Sequence, residues 1–307
     1  MSANYIIKSH NEMSEGLFGQ VLLRMVCQLF CIEHQDKIDI KNLVWDIKTE
    51  RYNDIFPNVL EYTNKNIDNK NDYKIINIIP AHTPIVLGDN FEKQNEIFFK
   101  YFKIPENINK YVDSLQLKDY LGIHFRGTDK TNDTKMNAST TADSFLIILE
   151  NFINEKNIKN LFVASDDKNF INKLIKKFDN CNIKLSRDIN NLSQKDMTWY
   201  TNNNKEQNAI DAMVDMLSLS KCLCVIKTSS ALSSFSKLMN PSLEIYRVNA
   251  SKMFNPNATY WPDCYIPLLE TSDNYTPICN KILNEIQLDD WSFKYKEKYN
   301  NFTYRFY

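Results

Sequence analysis

The chain has 307 residues, of which 43% are hydrophobic and 24% charged, with a formal net charge of −1. That balance belongs to a globular protein of one large or two ordinary domains. It gives no reason to expect nucleic acid or an anionic membrane as partner. Residues Asn4 to Gly16 turn polar soon after the start, so no leader is expected. The most apolar helical stretch, Leu17 to Ile32, carries Gln20, Arg24 and Gln28 and is shorter than a membrane span. Seven cysteines, with no C-x-x-C, read as core thiols in a reducing cytoplasm, including the pairs Cys27/Cys31 and Cys222/Cys224. Asn-x-Ser/Thr triplets at Asn137, Asn249, Asn257 and Asn301 are what an Asn-rich chain yields by chance.

In chain order, Tyr5 to Lys8 reads as a strand, followed by a loop bearing Gly16 and Gly19 and a helix to about His34. Strand, glycine loop and helix can together hold phosphate, or can simply be a tight turn. Ile38 to Ile47 is a second strand, Arg51 to Asn71 irregular, Lys74 to Pro80 a third strand. Gly88 to Tyr101 and Ile104 to Ser114 read as helices. These 115 residues form a smaller α/β domain. From Tyr120 the alternation becomes regular. Strands are expected at 120–125, 161–164, 182–185, 223–227 and 243–248, with helices at 144–156, 169–178, 209–220 and 230–239. Ser186 to Glu206 reads as a long loop. The fold class is therefore α/β, with residues 116–290 a doubly wound, Rossmann-like parallel sheet and 291–307 a tail packing back.

Three strand ends then carry polar groups to one edge of the sheet, where such folds bind ligands. They are His124 to Lys130, Ser165-Asp166-Asp167, and Lys227-Thr228-Ser229-Ser230. Arg126 offers a planar fork for phosphate, Gly127 a close backbone approach, and Thr228 to Ser230 hydroxyls at a helix start. Simpler roles stand beside these. Asp166 or Asp167 can cap the next helix, Ser229, Ser230, Ser233 and Ser234 can serve packing, and Asp211 and Asp215 can be surface carboxylates on a helix.

The motifs carry a resemblance. HFRGTDK (124–130) resembles the first peptide motif of the fucosyltransferase superfamily that includes α1,6-, α1,2- and protein O-fucosyltransferases. ASDD (164–167) is similar to its second motif and DMLSLSKCLCVIKTSSALSS (215–234) to its third. EGLFGQ (15–20) looks like its N-terminal glycine loop, with Gly19 where an asparagine often precedes the glutamine.

The resemblance implies a two-domain GT-B glycosyltransferase, inverting and metal-independent, with no cofactor. It would transfer fucose from GDP-fucose to a glycan hydroxyl. Arg126 would bind the β-phosphate, His124 and Asp215 would read guanine, and Asp129 and Lys130 would sit by the reacting sugar. Asp166 and Asp167 would support Arg126 or the nucleotide, and Thr228, Ser229 and Ser230 would hold the pyrophosphate. The backbone from Gly16 through Gly19 to Gln20 would close from the other domain. Two departures matter. α1,6-type members have a second arginine where this chain has Gly127, and a glutamate, suspected as base, where it has Thr134. Asp133 and Asp129 are the remaining candidates for the base. The same scaffold could take another GDP- or UDP-sugar, or bind a nucleotide or glycan without turnover. A structural or interaction protein with coincidental polar strand ends is the third reading.

Overall fold

The computed structural model describes residues 4–9, 17–19, 21, 22, 25, 43–45, 61–62, 73–78, 89–127, 141–189, 205–248, 265–267 and 269. The chain divides into two compact units, Met1–Pro105 with Leu283–Tyr307, and Glu106–Ile282.

The first unit contains a parallel sheet of three strands in the order β2-β1-β4: β1 (Asn4–Ser9), β2 (Leu43–Trp45) and β4 (Tyr73–Ile78). Residues 17–19, 21, 22 and 25 are helical, and Leu17, Phe18, Val21, Leu22 and Met25 are buried. Their spacing is that of one helical stripe. Helix α1 (Phe91–Tyr101) is capped by Asn90, whose side chain accepts from the Lys93 amide at 2.9 Å. Two short strands differ from the sequence reading. β3 (Glu61–Tyr62) lies inside the stretch expected to be irregular, and it pairs antiparallel with β5 (Phe102–Lys103) directly after α1. Two-residue strands are set by their partner and leave no periodic signal.

The second unit runs α2 (Glu106–Ser114), β6 (Leu121–Phe125), α3 (Ala142–Lys156), β7 (Asn160–Ser165), α4 (Lys168–Lys177), β8 (Asn182–Leu185), α5 (Lys205–Ser220), β9 (Cys224–Lys227), α6 (Ala231–Met239) and β10 (Glu244–Arg247). Its five strands are all parallel, in the order β10-β9-β6-β7-β8. The expected doubly wound α/β sheet is present. Chain order reverses between β6 and β9, so the switch point, where such sheets open a crevice at their carboxyl ends, lies between these two strands.

Both faces of the sheet are covered. Leu121, Ile123 and Phe125 of β6 join Leu161, Val163 and Ile226 in one core with α3 and α4. The alternate residues face the other way, as strand pleating requires. A Cβ on Gly122 would come within 3.0 Å of Leu219 and 3.1 Å of the Cys222 sulfur, so α5 packs tightly on that second face. Under the β6 terminus Phe125 stacks on Phe170 of α4 at 4.3 Å, and Phe145 of α3 meets both rings edge-on at 5.5 and 5.6 Å. This trio fixes the end of β6 against the two helices.

Helix α3 starts at Thr141, whose hydroxyl accepts from the Ser144 amide at 3.1 Å, and ends at Asn157 in the left-handed region (φ 51°). Cys222 and Cys224 are buried free thiols, as the sequence predicts. Burial pushes the Cys224 thiol up to about 12 and Cys222 higher still, so neither is a nucleophile. Among the described residues no helix is long and apolar enough to cross a membrane.

Candidate functional site

The β6 and β9 ends meet at the switch point. The Arg126 amide donates to the Thr228 hydroxyl at 2.8 Å, and the Thr228 amide donates to the His124 carbonyl at 2.9 Å. Thr228 is buried and belongs to the lead-in to α6, whose N-cap position is Ser230. The turn after β6 is thereby tied to the start of α6, and anions are favoured at such a helix start.

β7 supplies the second tie. Asp166 accepts from the Gly127 amide at 3.0 Å through Oδ1, and its Oδ2 lies 3.2 Å from Arg126 Nε. Both side chains are about five-sixths buried, at 16% and 15% exposure, so the pair is not a loosely solvated one. Asp166 thus holds Arg126 in place. Asp167 does a different job. Its Oδ1 accepts from the Phe170 amide at 3.0 Å and caps α4, the simpler role open to it from sequence. Ser165 reinforces the corner, donating to the Phe125 carbonyl at 2.6 Å and accepting from the Asp167 amide at 3.1 Å.

Gly127 has its own explanation here. A Cβ at that position would stand 2.6 Å from the Asp167 Cβ, inside any real contact distance. Glycine is required because the capping aspartate packs on its α-carbon. An arginine in its place would displace the cap.

On the second face of the sheet lies a charged cluster. His124 is 4% exposed, and its register partner Lys227 is fully buried. Burial, then Lys227, Arg126 and Arg187, hold His124 well below the usual histidine value, so its imidazole is neutral. Lys227 donates to the Ser230 carbonyl at 3.1 Å and to the Ser234 hydroxyl, pinning the first turn of α6. Ser233 and Ser234 are buried, so packing is part of what the serines after Ser230 do.

Asp215 is buried at 4% exposure on α5, which overturns the reading of it as a surface carboxylate. Every residue from 212 to 220 is buried, because α5 is covered all round. Asp215 pairs with Arg187, which also reaches Asp211 at 3.5 Å. Burial raises the Asp215 carboxyl above its usual range, and Arg187 and the Ser186 hydroxyl oppose that shift. Burial also works against the Arg187 charge, but Asp215 and Asp211 more than compensate and keep it protonated.

Arg187 was not expected from sequence, where it falls in the long loop after β8. One signal was available: it stands two residues beyond a strand end, as Thr228 stands one beyond β9 and Arg126 one beyond β6. Among the described residues, four buried side-chain atoms in this neighbourhood have no hydrogen-bond partner: His124 Nδ1, Arg187 Nε, Asp215 Oδ1 and Ser218 Oγ. Buried polar atoms are seldom left this way in a finished structure.

Of the residues expected to bind donor, the structure brings His124, Arg126, Asp166, Thr228, Ser229 and Ser230 to the switch-point edge, with Asp167 capping α4 beside it and Asp215 behind His124. Gly19 lies in the helical stretch of the other unit. Gly16, Gln20, Asp129, Lys130 and Asp133 lie outside the described residues. Among the described residues no group of His, Cys, Asp or Glu is placed to hold a metal ion. A cavity of about 160 Å3 lined by Asn157, Lys159, Asn180 and Cys181 lies away from these strand ends and contains none of the cluster.

No protein-family model matches the sequence, and no curated protein is similar to it. Among solved structures, the chain is similar to glycosyltransferases. Fucosyltransferase NodZ from Bradyrhizobium matches with a TM-score of 0.48 at 12% identity, over 78% of this chain and 95% of that one. FUT1 of Arabidopsis thaliana, solved in complex with GDP, matches with a TM-score of 0.47 at 11% identity, over 84% and 74% of the two chains. The glycosyl transferase family 9 protein of Veillonella parvula matches with a TM-score of 0.45 at 12% identity, over 92% and 91%. Likenesses this distant assign neither substrate nor reaction.

Proposed function

We propose that the protein is an inverting glycosyltransferase of the GT-B type that transfers fucose from GDP-fucose to a hydroxyl of a glycan acceptor without a metal ion. One observation carries the donor half of this reading. A cation, Arg126, is fixed at the topological switch point by Asp166, with its backbone tied to the residues that open α6. That is what a nucleoside diphosphate needs from a site with no metal: a rigid guanidinium fork and a helix start converging on the same anion. Behind it, neutral His124 and buried Asp215 offer a nucleobase polar groups in a dry setting.

In this reaction the guanidinium of Arg126 stabilises the charge that gathers on the departing diphosphate. Asp166 keeps the fork from reorienting as that charge develops. A carboxylate must take the acceptor proton, and Asp129 and Asp133, on the segment that follows Gly127, are the candidates. An oxocarbenium-like transition state asks little of this base.

The test is GDP release from GDP-fucose in the presence of a panel of glycan acceptors, with and without EDTA, followed by analysis of the product's anomeric configuration. Acceptor-dependent release that survives EDTA and inverts the anomeric centre supports the proposal. Turnover only with UDP-sugars overturns the donor assignment, and binding without turnover overturns the enzyme assignment.

A further inference from the structure

We propose that Lys227 is a positioning residue for the donor's diphosphate: buried at the end of β9, its Nζ grips the first turn of α6 and fixes the helix start that receives the anion. This assignment rests on the nucleoside-diphosphate reading of the site and adds to it a residue placed behind the anion. Being fully buried, Lys227 can act on a ligand only through its neighbours.

For stability alone, lysine is a poor residue for this place. It stands at the N-terminal, positive end of α6, where the helix dipole disfavours a cation, and lysine is seldom fully buried. An apolar residue would pack at less cost, as Val225 and Ile226 do just before it. The side chain serves instead as a clasp. Nζ lies 3.1 Å from the Ser230 carbonyl and also donates to the Ser234 hydroxyl, which itself donates to the Ser230 carbonyl at 2.7 Å. The Ser234 amide closes the first helical bond on that same carbonyl at 3.1 Å. These donors converge on one oxygen, the carbonyl of the N-cap residue. Ser230 makes no side-chain capping bond, so this helix start is fixed by the grip on its carbonyl rather than by a serine cap on its amides.

The clasp is anchored in the sheet. Lys227 is in register with His124 of β6 and Arg247 of β10, and its own carbonyl accepts from the Val248 amide at 2.7 Å. Its backbone is therefore held on both sides. The next residue, Thr228, accepts from the Arg126 amide at 2.8 Å. A strand end, the switch-point arginine and a helix start are thus joined through residues 227–230. The lysine's charge is felt at this edge, where with burial it helps keep the His124 imidazole neutral. A fixed positive charge behind a helix N-terminus strengthens the pull on an anion in front of it. Breaking a rule of helix stability in this way is what a binding site does.

The experiment is calorimetric titration of the full chain with GDP and, by displacement, with guanosine, on wild type, Lys227→Met and Ser234→Ala. Methionine fills the buried space with a flexible apolar chain and removes the donor and the charge. Wild type is expected to bind GDP more tightly than guanosine, and the ratio of the two affinities reads the diphosphate's contribution. Lys227→Met should shrink that ratio roughly tenfold while guanosine binds as before. Ser234→Ala keeps the lysine and removes the hydroxyl it holds. It should shrink the ratio about threefold, and it carries the test should the methionine variant not fold. An unchanged ratio in either folded variant would overturn the proposal. So would equal losses for GDP and guanosine, the mark of a merely structural lysine. Both of these outcomes leave the nucleotide reading standing. A wild type that binds guanosine as tightly as GDP, or binds neither, would overturn both.

Discussion

The two polar corners of the second unit are built from similar residues and end in opposite states. At the β7 end, Ser165 donates to the Phe125 carbonyl, Asp166 and Asp167 accept from the Gly127 and Phe170 amides, and Asp166 also pairs with the Arg126 guanidinium. Behind β6, four buried atoms of His124, Arg187, Asp215 and Ser218 have no hydrogen-bond partner among the described residues. A corner whose groups are matched holds a shape. One that leaves buried donors and acceptors unmatched carries a cost in stability. The first corner holds Arg126 in place; the second leaves polar atoms unmatched.

The sharpest way to break the comparison is at the ion pair. Asp215→Ala strands a buried guanidinium, and thermal and chemical unfolding should show a loss of about 3–5 kcal/mol. Replacing both partners, Asp215→Leu with Arg187→Met, should recover most of that stability, since an apolar pair often matches a buried ionic one. Nucleotide binding should not recover with it. If it does, the unmatched atoms have no part in recognition.

The matched corner should respond differently. Gly127→Ala drives a Cβ against Asp167 and should cost about 1–3 kcal/mol in unfolding experiments. Asp166→Ala removes the anchor of Arg126 and should weaken GDP binding by roughly tenfold while leaving the helices intact. Asp167→Ala removes only a helix cap, worth about 1 kcal/mol, and GDP affinity should stay near wild type. A large loss of affinity in Asp167→Ala would mean that the cap also touches the ligand.

Acidity separates the corners too. His124 stays neutral in the folded protein at pH values where the unfolded chain, titrating near 6.5, takes up a proton. The unfolded state then binds more protons, so stability should fall as pH drops below about 6.5, at up to about 1.4 kcal/mol per pH unit. Burial, then the charges of Lys227, Arg126 and Arg187, keep the proton off this imidazole. His124→Gln should flatten that slope. Asp215 works with the opposite sign: its raised carboxyl adds stability at low pH that is lost as pH rises through its folded value. A slope unchanged in His124→Gln would show that another group carries it.

Much of this was legible from residues. The strands β6, β7 and β9 stand out as short apolar runs that stop at polar turns, and such runs are what a buried parallel sheet requires. Their order places the turns at one edge, so Arg126, Asp166 and Thr228 were readable as neighbours without coordinates. Arg187 was not, because its partner Asp215 is 28 positions away and the loop between them has no period. The burial of Asp215 was half-legible. Residues 212–220 contain no charge except Asp215 itself, which is how a helix covered on all sides reads. The role of Gly127 was hidden for another reason: a glycine before a helix cap looks the same whether a phosphate or an aspartate lies against it.

The most direct test of the account is a calorimetric titration of GDP, UDP, ADP and CMP into wild type and Arg126→Ala, with EDTA present throughout. The account predicts selective GDP binding by wild type and a loss of roughly 100-fold or more in the variant, because a charge-assisted fork on a diphosphate is removed. GDP binding that is unchanged in folded Arg126→Ala would contradict it, since the switch-point arginine would then be an ornament of the fold rather than its anion site.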